Sequence, residues 1–390
     1  MAKPAVKAAL LSPQRPLGDH PLVVVGPSLG TSSILWNRAA SLLGNDYDVV
    51  AWDLPGHGRS PASGPFRMPE LAAAVLALAD DVAPGQRFAY AGDSVGGAVG
   101  LQLLLDAPER VTSAALLCTG AVIGDPELWR VRAATVRESG TESVVLGSAE
   151  RWFAAGFADR EPAVAAALLD ALRDTNAECY ALVCEALAVF DVVDRLPQIT
   201  TPVLAIAGAQ DIPTPPEGLA QIASGVRDGR LIVLDGVGHL APAEAPDRVA
   251  DLIAGQLARN QSDHLYEAGM AVRREVLGDS HVDRAVAATN AFTADFQELI
   301  TRYAWGSIWT RPGLDRRSRS LITLTALVAR GHHEELAMHV RAARRNGVTT
   351  DEIKELLLQT AIYCGVPDAN SAFRIANKVL TEYDSAEDNR

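Results

Sequence analysis

Up to about residue 120 the chain alternates between short unbroken apolar runs and longer stretches of helical periodicity. Leu22–Val25 (LVVV), Val49–Trp52 (VVAW), Phe88–Ala91 (FAYA) and Ala114–Leu117 (AALL) each stop at a Gly, Pro or polar turn. Continuous apolar runs of that length are the pattern of strands buried on both faces. Met68–Asp81 and Val95–Asp106, between them, read as helices. Alternation of this kind predicts a parallel sheet with helices on both sides. From Asp125 to Leu196 no strand pattern occurs and Ala-rich helical segments dominate, after which strands return at Val203–Ala207 (VLAIA) and Leu231–Leu234 (LIVL). A helical insertion in an α/β sheet predicts a lid, over about 124–196. Residues 259–264 (RNQSDH) form a polar run expected to be a linker. Beyond it the pattern is helical throughout. One helix is expected over Asp315–Arg330, stopped by Gly331. Another is expected over His332–Arg345, stopped by Asn346-Gly347. Thr349 to Glu352 matches a capping box and Pro367 opens a last helix. The expected organisation is an α/β domain at 1–258, the linker, and a small all-α domain at 265–390.

The sequence of 390 residues is 48% hydrophobic and 21% charged, which suits two packed domains. The net charge of −13 argues against binding nucleic acid, which needs clustered Lys and Arg. It also means that an anionic substrate requires locally placed arginines. The N-terminal stretch lacks the apolar core and cleavage site of a secretory signal, and no apolar run is long enough to span a membrane. The four cysteines form no CxxC and have no metal-ligand spacing with His. A cytoplasmic protein with reduced thiols is expected.

Gly92-Asp93-Ser94-Val95-Gly96 is G-x-S-x-G at the end of a strand and the start of a helix. There a sharp turn strains and exposes a nucleophilic serine. Asp211 follows strand VLAIA and His239 follows strand LIVL, so the order is Ser–Asp–His. In that order His239 takes the Ser94 proton and Asp211 fixes the imidazole. The fold class expected is therefore the α/β-hydrolase fold, and the backbone N–H groups of Leu29 and Val95 are the expected oxyanion donors. Asp93, beside the nucleophile, is expected to point away from it and has no assigned role. Gly56-His57-Gly58 begins a dinucleotide fingerprint that Pro61 breaks, so His57 is read as a structural loop residue. His332-His333 with Glu334-Glu335 is the nearest approach to a metal site, but adjacent helical residues diverge. No metal and no cofactor are expected.

AGDSVGGAVGLQLLLDAPERV, the PSLGTS loop, LWRVRAATVRESG and ERWFAAGF resemble the 3-oxoadipate enol-lactone hydrolases, over residues 20–258. The stretch from YAWGSIW through EELAMHVRAARRNG to SAFRIA resembles the 4-carboxymuconolactone decarboxylases, over 265 to about 380. Together they resemble the fused proteins of the β-ketoadipate pathway. The resemblance implies that the second domain decarboxylates a lactone and the first opens the product. The ligands implied are small lactone carboxylates. Arg130, Arg132 and Arg137 in the lid are candidates for the carboxylate, with Trp129 and Trp152 as apolar walls, although most lid arginines are simply solvated. Glu335 and His339 stand four apart on one helix face. Spacing alone makes them a surface ion pair. The resemblance makes His339 a proton donor oriented by Glu335, with Arg319 as carboxylate partner. Related disulfide reductases need a CxxC where this chain has His332 and Glu335, which excludes thiol chemistry. A serine esterase of other specificity, carrying an oligomerisation module, remains the alternative; homo-oligomerisation through the C-terminal helices is expected in either case.

Overall fold

The computed structural model describes residues 3–11 and 17–387. The chain divides into two compact units, Met1–Asn260 and Gln261–Arg390.

In the first unit seven strands form one sheet in the order β1-β3-β2-β4-β5-β6-β7. They are β1 Lys7–Leu10, β2 Leu22–Gly26, β3 Asp48–Asp53, β4 Phe88–Asp93, β5 Val111–Leu117, β6 Val203–Gly208 and β7 Gly229–Leu234. All neighbours are parallel except β1, which pairs antiparallel with β3. The six strands expected from apolar runs are all present. The sequence reading missed β1, because KAAL is short and exposes all but one residue. Strands β2 to β6 are buried almost throughout. Each Val or Leu taken from water there contributes roughly 1.5–3 kcal/mol. LIVL behaves differently: β7 is the sheet edge, and Leu231 and Val233 stay partly exposed. Between β5 and β6 the chain makes the helices Pro126–Ser139, Glu142–Trp152, Phe157–Arg160, Pro162–Arg173 and Ala177–Leu187. The carboxyl ends of β4, β6 and β7 deliver Ser94, Asp211 and His239, the edge where such sheets carry ligands.

Residues 259–264, expected as a linker, lie inside one continuous helix, Pro246–Leu277. RNQSDH is polar but contains neither Gly nor Pro, and its residues cost a helix only tenths of a kcal/mol each. Half-buried Leu257 before it and Leu265 after it keep the helical pattern going.

The second unit is wholly helical: Asp279–Ala287, Ala294–Ile300, Arg316–Arg330, His333–Arg345, Thr350–Cys364 and Val366–Glu387, with a π-helical turn at Thr301–Trp309. Gly331 takes the left-handed stop, with φ 67°, and Thr349 with Glu352 forms the capping box. After His333–Arg345 the left-handed residue is Gly347, with φ 83°, rather than Asn346. Leu324, Val328, Leu336, Val340, Ile353 and Leu357 anchor its core. Ile362, Tyr363 and Val366 are each more than 70% exposed. Among the described residues no helix is long and apolar enough to cross a membrane.

Candidate active sites

Ser94 has φ 53° and ψ −115°, a costly backbone for a residue with a Cβ. Its neighbours hold it there. Its N–H donates to the Leu117 carbonyl at 2.9 Å, and Thr119 Oγ1 donates to the Ser94 carbonyl at 2.7 Å. The flanking glycines are required by close approach. A Cβ on Gly92 would meet the Gly96 carbonyl oxygen at 2.3 Å, and one on Gly96 would meet Gly26 at 2.7 Å.

His239 Nε2 lies 2.9 Å from Ser94 Oγ, and His239 Nδ1 lies 2.9 and 3.0 Å from the two Asp211 oxygens. All three side chains are buried. Burial would raise the Asp211 carboxyl. The His239 imidazole and the donors Thr214 N–H and Oγ1, at 2.9 and 2.7 Å, outweigh it and hold the group below the ordinary aspartate range. An ionised Asp211 accepts from Nδ1–H and leaves Nε2 free to take the serine proton. The N–H groups of Leu29 and Val95 have no acceptor among the described residues. Asp93 is fully buried and neither carboxyl oxygen has a partner. Burial, then Asp211 and Glu244, push it well above the aspartate range. His57 is buried, its Nδ1 2.9 Å from the Pro55 carbonyl, and burial lowers it to about 4.

The histidine loop has a support that the motifs did not reveal. The His239 N–H donates to the Trp152 carbonyl at 2.8 Å. Glu244 accepts from Ala154 N–H at 2.9 Å, Gly238 N–H at 3.2 Å and Leu240 N–H at 3.4 Å. The inner end of the lid and the catalytic imidazole are thereby tied together. An acid five residues after the histidine was the one local signal of this.

Above Ser94 lies a cavity of about 470 Å³ lined by Leu29, Trp129, Arg132, Arg151, Trp152 and Tyr180 among others. Trp129 and Trp152 line it, as the sequence suggests. Arg130 does not: it is exposed and pairs with Glu127 at 3.0 Å. Arg137 is spent on Glu178 and Glu185 at 2.8 and 2.5 Å. The helix Pro126–Ser139 buries Ala133 and Val136. Its period therefore turns Trp129 and Arg132, three apart, inward and leaves Arg130 outside. Arg132 donates to Tyr180 Oη at 2.8 Å and Ser148 Oγ at 3.0 Å, and lies over the Trp129 and Tyr180 rings. Arg151, missed in the sequence, is lowered by burial and by Arg132. Neither has a carboxylate partner among the described residues, so the cavity holds two cations that only an incoming anion would neutralise.

In the second unit Glu335 and His339 share a face of the helix His333–Arg345, but no hydrogen bond joins them and Glu335 is exposed. Burial first, then the charge of His281, lower His339 to about 4, against the smaller upward pull of Glu335. Desolvation outweighs one exposed carboxylate, so the surroundings favour the neutral imidazole. Arg319 is not a free cation either. It donates to the carbonyls of Leu314 and Arg311 at 3.1 and 2.9 Å, closing the turn before its own helix. Among the described residues no group of three or more His, Cys, Asp or Glu side chains is placed to hold a metal ion.

Comparison with known proteins agrees with this division. The alpha/beta hydrolase fold family matches residues 21–246, and the carboxymuconolactone decarboxylase family matches residues 294–378. The second unit is 49% identical over 117 residues to 4-carboxymuconolactone decarboxylase of Acinetobacter baylyi, covering 30% of this chain and 87% of that protein. The first is 35% identical over 229 residues to 3-oxoadipate enol-lactonase 2 of the same organism, covering 58% of this chain and 85% of that protein. The crystal structure of the enol-lactonase from Burkholderia xenovorans LB400 superposes with a TM-score of 0.62 at 31% identity. That superposition covers 65% of this chain and 96% of the other. The chain therefore belongs to the α/β hydrolase family through its first unit and to the carboxymuconolactone decarboxylase family through its second, and it is a fusion of the two.

Proposed function

We propose that the chain is a bifunctional enzyme of aromatic catabolism. Its second unit decarboxylates 4-carboxymuconolactone to 3-oxoadipate enol-lactone, and its first hydrolyses the enol-lactone to 3-oxoadipate. The observation that carries the reading is the hydrogen-bonded Ser94–His239–Asp211 chain at the floor of a cavity with two unneutralised arginines. Such a site suits an ester bearing a carboxylate. His239 Nε2 removes the Ser94 proton as Oγ attacks the lactone carbonyl. The Leu29 and Val95 N–H groups donate to the oxyanion. Collapse breaks the ring C–O bond and expels an enolate, which the His239 imidazolium protonates. Water, activated by the same imidazole, then releases the acyl group. Arg132 and Arg151 hold the carboxylate, and Trp129 and Trp152 hold the ring.

In the decarboxylation the C–CO₂ bond breaks and its electrons pass into a dienolate on the lactone carbonyl oxygen. The substrate is its own electron sink, and no cofactor is needed. A proton then goes to the ring carbon beside the carbonyl. His339 is the proposed donor: burial favours its neutral form, and an arriving dicarboxylate favours its imidazolium form. Glu335 has no hydrogen bond to it and acts on it through charge alone, favouring the imidazolium. Four unpaired cysteines suit a cytosolic setting. Exposed Ile362, Tyr363 and Val366 suit self-association through the second unit. The test is incubation of the whole chain with 4-carboxymuconolactone. One CO₂ and one 3-oxoadipate per lactone are expected, and an unconsumed lactone would overturn the reading.

A further inference from the structure

Arg273 projects from the helix Pro246–Leu277 and is only 5% exposed. Its two terminal nitrogens donate to neutral acceptors, Thr301 Oγ1 at 3.2 Å and Gln297 Oε1 at 2.9 Å, and its buried Nε has no partner. Among the described residues no carboxylate meets it. Five other arginines of this unit are treated differently. Arg274, Arg302, Arg316, Arg317 and Arg341 each meet an Asp or Glu. A buried guanidinium without a counter-ion is costly to fold, and an anionic ligand would supply the missing charge.

The charges that act on His281 are all positive. Burial first, then the charges of Arg284, Arg273 and Arg345, lower His281. Arg345 donates to the Leu277 carbonyl, and neither it nor Arg284 has a carboxylate partner among the described residues. His281 in turn acts on His339. One apolar cluster, built around Val276, Val282, Trp305 and Ala342 with Trp309 and Met338 against it, runs beside all three elements.

We propose that Arg273, with Arg284 and Arg345, is the carboxylate-binding pole of the decarboxylase site, and that His281 bridges that pole to His339. The proposal rests on the decarboxylase reading of the second unit and replaces Arg319 in it. The ligand class is a small dicarboxylate. The carboxylate that is retained sits on Arg273, and the one that departs lies against the indoles, where no cation holds it.

The test uses the full chain. R273Q should raise KM for 4-carboxymuconolactone by ~30-fold or more, the scale for removing one partner of a buried charge pair. Enol-lactone hydrolysis on the same sample should be unchanged. A folded R273Q with KM within ~3-fold of the parent would overturn the proposal. If R273Q does not fold, exposed R284Q carries the test, with a rise of ~5-fold or more expected and no rise overturning it. Succinate calorimetry separates this proposal from the reading beneath it. In a chain with R132Q and R151Q, succinate should bind, and adding R273Q should abolish the binding. If the parent chain does not decarboxylate, the decarboxylase reading fails. Arg273-dependent succinate binding would then still uphold the pole, and its absence would overturn it.

Discussion

Ser94, Asp211 and His239 come from three positions far apart in sequence, yet each could be read because each ends a strand, and strands were the strongest signal in the chain. The side chains that bind substrate were harder to read. Arg130 and Arg132 are two residues apart in one helix and only the helical period separates them. That period follows from Ala133 and Val136, two small buried residues in a segment that otherwise looks charged. Arg151 and Glu244 act through contacts with distant segments and left only faint local traces. The protonation of His339 could not be read at all, because it depends on burial and on His281. These assignments separate at the bench. R132Q should raise KM for enol-lactone by ~10-fold or more, as loss of a charged contact does, with R130A close to the parent. Steady-state kinetics on the two variants decides it, and equal effects would return Arg130 to the site.

At the scale of elements the legible features were those with strong periodicity or punctuation. The buried strands, the Val95–Asp106 helix, the Gly331 stop and the Thr349 capping box all lie where the pattern puts them. The run 259–264 was misread because polarity without Gly or Pro does not end a helix. That helix matters for dissecting the molecule, since its last turns carry Arg273, Val276 and Leu277. We expect the two units to work independently, with the cut placed to respect the helix. A fragment ending at Asn260 should keep enol-lactone hydrolysis. A fragment starting at Pro246 should keep decarboxylation, and one starting at Asp279 should lose it. Activity of the last fragment at the level of the longer one would show that Gln261–Leu277 is dispensable.

The whole molecule carries 48 acidic and 35 basic residues, yet gathers unpaired arginines at two places, one in each unit. Charge composition alone warned of this need without locating it. Each unit also holds a histidine kept neutral by burial, His57 in the first and His339 in the second, both lowered to about 4. Between pH 6.5 and 4 the unfolded chain binds a proton at each and the folded chain does not. Stability is therefore full above pH 6.5 and falls as pH drops toward 4. For fully buried His57 the loss reaches ~3 kcal/mol. Thermal melts from pH 7 to 4 should show both units weakening, and H57Q should flatten the dependence of the first. Serial action of two separate sites on one carbon skeleton is the core of the proposed function. Its most direct measurement is the product spectrum of S94A given 4-carboxymuconolactone. One CO₂ per lactone is expected, with enol-lactone accumulating and no 3-oxoadipate formed beyond spontaneous hydrolysis. Formation of 3-oxoadipate at the parent rate, or failure of S94A to release CO₂, would contradict it.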